Sequence, residues 1–148
     1  MKRHPMLLFA LVLFYVQSAT AGDPVTTKQI EGSWTIKDVQ VSNIKGKVSQ
    51  CYLCDLYRNS TKLVFNADGE VSYENNNNPT QVFYAVQNGK LAMYTAAIPA
   101  AKLWTGSGTN TGKEDEPVYF GLSMKGNTLI MVYQSPGAGI TETYTLTH

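Results

Sequence analysis

The sequence predicts an all-β fold, an eight-stranded antiparallel up-and-down barrel with one long irregular loop. Three observations carry this. Short runs rich in Val, Ile, Thr and Tyr alternate apolar and polar side chains with period two. Turn signals separate the runs, the strongest being Asn66-Ala67-Asp68-Gly69 and Asn88-Gly89. The runs succeed one another in meander order, and a sheet of about eight strands in that order can close on itself and lose both exposed edges. A two-sheet sandwich is the other arrangement that this number of strands allows.

The chain opens with Lys2, Arg3 and His4, an apolar run over 6–16, and Ala19-Thr20-Ala21. Positive start, apolar middle and small residues at the end are the features of a secretory signal peptide, expected over 1–21 with cleavage after Ala21. The apolar run is too short to span a bilayer comfortably, and no later segment is apolar enough to do so. The remainder, 22–148, is long enough for one domain with a core of its own and too short for two. A secreted or periplasmic location is expected.

The first strand is expected over 34–41. Its apolar phase runs through Trp34 and Ile36, then changes to Val39 and Val41, which predicts a bulge near Lys37 or Asp38. Residues 61–65 place Leu63 and Phe65 on one face, and the Asp68-Gly69 turn joins them to a strand over 70–73. Asn75-Asn76-Asn77-Asn78-Pro79 is read as a solvated loop. The run 81–86 then pairs through Asn88-Gly89 with 90–95. Residues 96–117 break the rhythm with Pro99, Gly106, Gly108, Gly112 and Pro117, and form the long excursion, with a helical turn around 100–104. Strands over 118–124, 128–133 and 140–146 complete the count.

The order of these signals resembles the lipocalin-like (calycin) domains, the small secreted bacterial ones in particular. Gly32-Ser33-Trp34 heads the first strand, Leu63-Val64-Phe65-Asn66-Ala67-Asp68-Gly69 supplies a strand with an Asp-Gly turn, and Asn88-Gly89-Lys90-Leu91 supplies the hairpin. The resemblance implies that Trp34 plugs the closed end of a barrel, stacked under an Arg from a late strand. No Arg occurs after Arg58, so that partner is missing or replaced, with Lys125 as the candidate. It also implies that binding belongs at the opposite mouth. Avidin-like barrels share a Gly-x-Trp start but use several further Trp residues, where this chain has only Trp104.

Composition excludes several function classes. Loss of Lys2 and Arg3 with the signal leaves ten basic residues against 11 acidic ones, with no basic cluster to attract nucleic acid. Beyond the signal the one imidazole is His148, the last residue, so Ser-His-Asp or Cys-His catalysis has no internal base. Glu114-Asp115-Glu116 reads as a solvated charge run without a calcium-loop pattern. Asn59-Ser60-Thr61 is a glycosylation sequon, meaningful only in a eukaryotic secretory pathway.

Cys51-Tyr52-Leu53-Cys54 is open to three readings: a disulfide tying the first long connection, a redox-active pair, or a metal site. The secreted context favours the disulfide. A thioredoxin-type pair wants a βαβ setting, and two Cys with one terminal His do not complete a zinc site. No cofactor and no metal are expected.

Aromatic side chains mark the candidate cavity: Tyr73, Tyr84, Tyr94, Phe120 and Tyr133 on strands, and Trp104 on the long loop. Ordinary barrel filling is the competing role for all of them. Phe83 and Tyr84 must point oppositely, so at most one lines the interior. The expected function is non-catalytic binding of a small apolar molecule within the barrel. The alternatives are an interaction module or inhibitor acting on a protein partner through 96–117, and a thiol–disulfide activity at Cys51 and Cys54.

Overall fold

A computed structural model describes residues 22–43, 62–74, 80–104, 106, 108–113, 116–137 and 139–148. The expected signal peptide over 1–21, the Cys51 and Cys54 pair, the Asn59 sequon, the asparagine run 75–78 and Glu114-Asp115 lie outside them. Among the described residues no helix is long and apolar enough to cross a membrane.

Eight strands, β1 (Gly32–Asn43), β2 (Lys62–Phe65), β3 (Glu70–Tyr73), β4 (Val82–Gln87), β5 (Lys90–Thr95), β6 (Val118–Lys125), β7 (Thr128–Gln134) and β8 (Ile140–Thr147), form a closed barrel in sequence order. Every neighbouring pair is antiparallel, and β8 closes on β1 from Thr35↔Thr147 to Asn43↔Ile140. The sandwich alternative is thereby excluded. A one-turn helix α1 (Thr27–Ile30) precedes β1, and a 3-10 turn at Ala100–Lys102 stands where a helical turn is expected in the long excursion.

Local chemistry accounts for the turns. Asn88 and Gly89 both take positive φ, 51° and 70°, the combination that a tight hairpin matched to strand twist requires and that Asn-Gly tolerates best. At the β2–β3 turn the Glu70 amide donates to Asp68 Oδ1 at 3.0 Å, as expected of Asp in that position. The register of β1 against β8 shifts between Ile36 and Asp38, where the change of apolar phase predicts the bulge. Past it, Val39 and Val41 face Tyr144 and Glu142 across the sheet, so the apolar face of β1 stays turned inward.

One end of the barrel is plugged. Val25, Ile30 and Trp34 are buried there, the last two completely, and Trp34 Nε1 donates to the Ile30 carbonyl at 2.7 Å. The His148 ring covers Trp34 at 3.8 Å between centroids. This corrects the expectation for Lys125: the place of a late-strand Arg is taken by His148. Gly32 has a φ of 121°, a conformation that strains any side-chain-bearing residue, so the glycine of the Gly-x-Trp is demanded by the backbone. Leu63, Phe65, Leu91, Leu129 and Leu146 fill the interior around the plug, each at most 1% exposed. Each such side chain contributes roughly 1.5–3 kcal/mol by leaving water.

Candidate functional site

Strand direction assigns the two ends. The turns after β2, β4 and β6 lie at the plugged end, whereas β1, β3, β5 and β7 run to the other. At that second end Val39, Tyr73, Val82, Val118 and Tyr133 project from five strands, pack against the core and stay only partly buried. Val86, Leu122 and Met124 are also partly buried, but they sit near the β4 and β6 turns, beside the plug. Among the described residues the first end is thus filled by Val25, Ile30 and Trp34, and partly exposed apolar side chains of the inward face are more numerous toward the second.

Deeper in the upper half lie Phe120, Tyr144 and Glu142, at 1%, 0% and 2% exposure. Strand β8 alternates strictly, with Ile140, Glu142, Tyr144 and Leu146 buried and the threonines between them partly exposed. A carboxylate thus occupies a position that the pattern reserves for apolar side chains, and it is the one buried charged residue among those described. Glu142 stands opposite Val41 on one side and Tyr133 on the other. The Tyr144 hydroxyl donates to Glu142 Oε2. Phe120 packs at 5.8 Å from Tyr133 and edge-on at 6.3 Å from Tyr144. Burial raises the phenol pKa of Tyr133, the Glu142 charge raises it further, and a hydrogen bond with Ser135 partly offsets both.

The six aromatic residues singled out from the sequence do not come together. Phe120 and Tyr133 meet in the upper interior, and Tyr73 reaches its rim from β3. Tyr84 faces inward but near the plug, its hydroxyl donating to the Asn66 carbonyl at 2.8 Å and its ring edge-on to Phe65 at 5.0 Å. Tyr94 packs on Phe83 at 6.0 Å, and alternation with buried Leu91 and Met93 sets that pair on the outer wall. Trp104 is also outside, 5.7 Å from the Tyr119 ring. As cavity contacts, Tyr94 and Trp104 are corrected: alternation sends one outward, and the other belongs to a segment laid on the wall. The structure adds Tyr144 and Glu142, and the signal for Glu142 was a charged residue in the apolar phase of 140–146.

The described part of 96–117 is fastened to the outside of β5 and β6. Leu103 is 2% exposed, and its carbonyl accepts a hydrogen bond from the Tyr119 hydroxyl. Asn110 completes the attachment: its Oδ1 accepts from the Tyr119 amide at 2.7 Å, and its Nδ2 donates to the Tyr119 and Gln134 carbonyls, each at 3.0 Å. Lys90 Nζ donates to the Gly108 carbonyl at 3.2 Å. Between this segment and β6–β7 runs a groove of about 350 Å³, lined among others by Thr109, Gly121, Val132 and Pro136.

These features define a closed antiparallel barrel with one plugged end, partly exposed apolar side chains toward the other and an acid buried in that second half. Set against protein families, curated proteins and solved structures, the chain finds no match.

Proposed function

We propose that this chain is a secreted or periplasmic lipocalin-like barrel that holds a small, largely apolar molecule in the upper half of its interior without catalysing a reaction. The asymmetry of the inward face carries the reading. Val25, Ile30 and Trp34 seal one end, while Val39, Tyr73, Val82, Val118 and Tyr133 keep accessible apolar surface at the other. Small-molecule sites combine such an apolar concavity with a few fixed polar groups, a role open to Tyr133, Tyr144 and Glu142. The order of motifs from Gly32-Ser33-Trp34 to Asn88-Gly89-Lys90-Leu91 supports the kinship with calycins.

A neutral apolar fluorophore, N-phenyl-1-naphthylamine, tests it by titration. One saturable equivalent is expected, weakened by Val118→Asp at the rim and unaffected by Val132→Asp in the outer groove. Absence of saturable binding, or loss of binding from the Val132 variant alone, contradicts the interior site.

The outer groove favours a second reading, in which the fastened segment presents a surface to a protein partner. Replacing 104–112 by a short Gly-Ser linker then abolishes partner capture and leaves the barrel folded. A thiol–disulfide activity would reside at Cys51 and Cys54, outside the described residues.

A further inference from the structure

We infer that two copies of this chain associate, sheet against sheet, through the outer wall formed by β6, β7, β8 and β1, as a reversible dimer. This goes beyond binding inside the barrel and does not rest on it. Strand β7 is apolar in both phases over Leu129-Ile130-Met131-Val132-Tyr133, whereas its neighbour β8 alternates. A strand wetted on one face alternates, and a continuous apolar run belongs to a strand covered on both. Leu129, Met131 and Tyr133 take the inner phase, so Ile130 and Val132 stand on the outer wall, partly exposed. Register sets small or β-branched residues around them: Gly121, Val132 and Thr143 in one row, Ser123, Ile130 and Thr145 in the next. Gly121 is exposed, its φ lies outside the left-handed region, and an added Cβ would meet nothing closer than the Val132 carbonyl oxygen at 4.0 Å. Neither the backbone nor crowding within the chain calls for glycine there. Its missing side chain keeps the wall low beside Val132, as close approach from outside requires.

Charge and size point to a second copy as the occupant. The outer positions of β7 and β8 are Ile130, Val132 and Gln134, with threonine at all the others, so the face meets its own copy without setting like charges together. A two-fold axis along the strands between β7 and β8 interchanges them. It places Val132 of each copy against Thr143 of the other and Ile130 against Thr145, an isologous contact of β-branched side chains. Charges stand at the margins, Lys125 on β6 and Lys37 with Asp38 at the β1 bulge, all exposed, where ion pairs contribute little. Four outward positions on each of four strands cover about 500 Å² at the usual rise and strand spacing, and the two copies together about 1,000 Å². That stands at the lower bound for a specific interface, which fits a dimer that dissociates on dilution.

Sedimentation velocity of the full chain without ligand, over about 1–200 µM, tests the dimer. A shift from monomer to dimer is expected within that range, the span of micromolar affinities. Val132→Asp, which sets a carboxylate into the centre of the contact, is expected to weaken association about tenfold or more. Thr143→Lys, which leaves the apolar run of β7 intact, is expected to do the same. Gln87→Asp, exposed on β4 at another part of the wall, is expected to change association less than about twofold. A chain that stays monomeric over the whole range overturns the inference, as does a dimer that Val132→Asp and Thr143→Lys both leave intact. The native concentration series and Thr143→Lys decide the matter even if Val132→Asp does not fold. Because no ligand is present, failure of the dimer leaves the interior site standing.

Discussion

The His148 ring lies on the Trp34 indole, centroids 3.8 Å apart and planes inclined at 34°, with His148 Nδ1 3.1 Å from the Ser33 carbonyl oxygen. The end of β8 is thus held against the start of β1 by a side chain as well as by the ladder that joins Thr35 to Thr147. Trp34, held at its edge through Nε1, is covered on one face by His148, so the plug is fixed by two groups that lie outside β1.

Removing the cover should weaken the closure. His148→Ala is expected to cost about 0.5–1.5 kcal/mol, the value of a well-placed ring pair, and His148→Arg to retain most of that by stacking its guanidinium plane. Urea unfolding measures this as a lower midpoint for the Ala variant with unchanged slope. Equal midpoints for Ala and the native protein would show that the stack contributes nothing.

Asn110 should control the attachment of the long segment. Its amide serves the Tyr119 amide and two carbonyls at once, which a carboxylate cannot do because it has no donor. Asn110→Ala and Asn110→Asp are both expected to speed tryptic cleavage after Lys102 and Lys113 several-fold while the barrel remains folded. Cleavage at native rates in the Asp variant would show that Leu103 and Tyr119 suffice to hold the segment.

Much of the barrel was legible because its cues are local. Alternation in 62–65, 82–87 and 140–147, the Asn-Gly and Asp-Gly turns and the phase change at Ile36 each depend on a few neighbouring residues. The strand 90–95 was ambiguous because Ala92 and Tyr94 are as compatible with an interior as Leu91 and Met93. Only pairing with Phe83 and the cover over Ala92 reveal that its second phase faces out. The helix α1 had a readable sign in Thr26 and Gln29, whose side-chain oxygen accepts from the Thr26 amide at 2.8 Å. The role of His148 depends on ring closure and had no local sign.

Alkaline pH should destabilise the fold. Burial raises the phenol pKa of Tyr84, Tyr119 and Tyr133 above the ordinary value near 10, with Glu31 and Asp68, Glu116, and Glu142 respectively adding to it. A pKa raised by folding gives stability that is complete below the unfolded value and is lost as pH rises past it, because the unfolded chain releases those protons first. Stability is therefore expected to be unaffected by these phenols up to about pH 9 and to fall above pH 10. Absorbance titration at alkaline pH should show Tyr84, Tyr119 and Tyr133 among the late-ionising tyrosines, and Tyr84→Phe should flatten part of the slope. Ionisation of every tyrosine near the ordinary value would contradict the burial of these hydroxyls.

Binding in the upper half of the barrel interior is tested most directly by methyl NMR during titration with a neutral apolar probe. Saturable shifts are expected at Val39, Val82 and Val118, with Val132 on the outer groove and Leu63 beside the plug unmoved. Shifts confined to Val132, or none that saturate, would contradict an interior site.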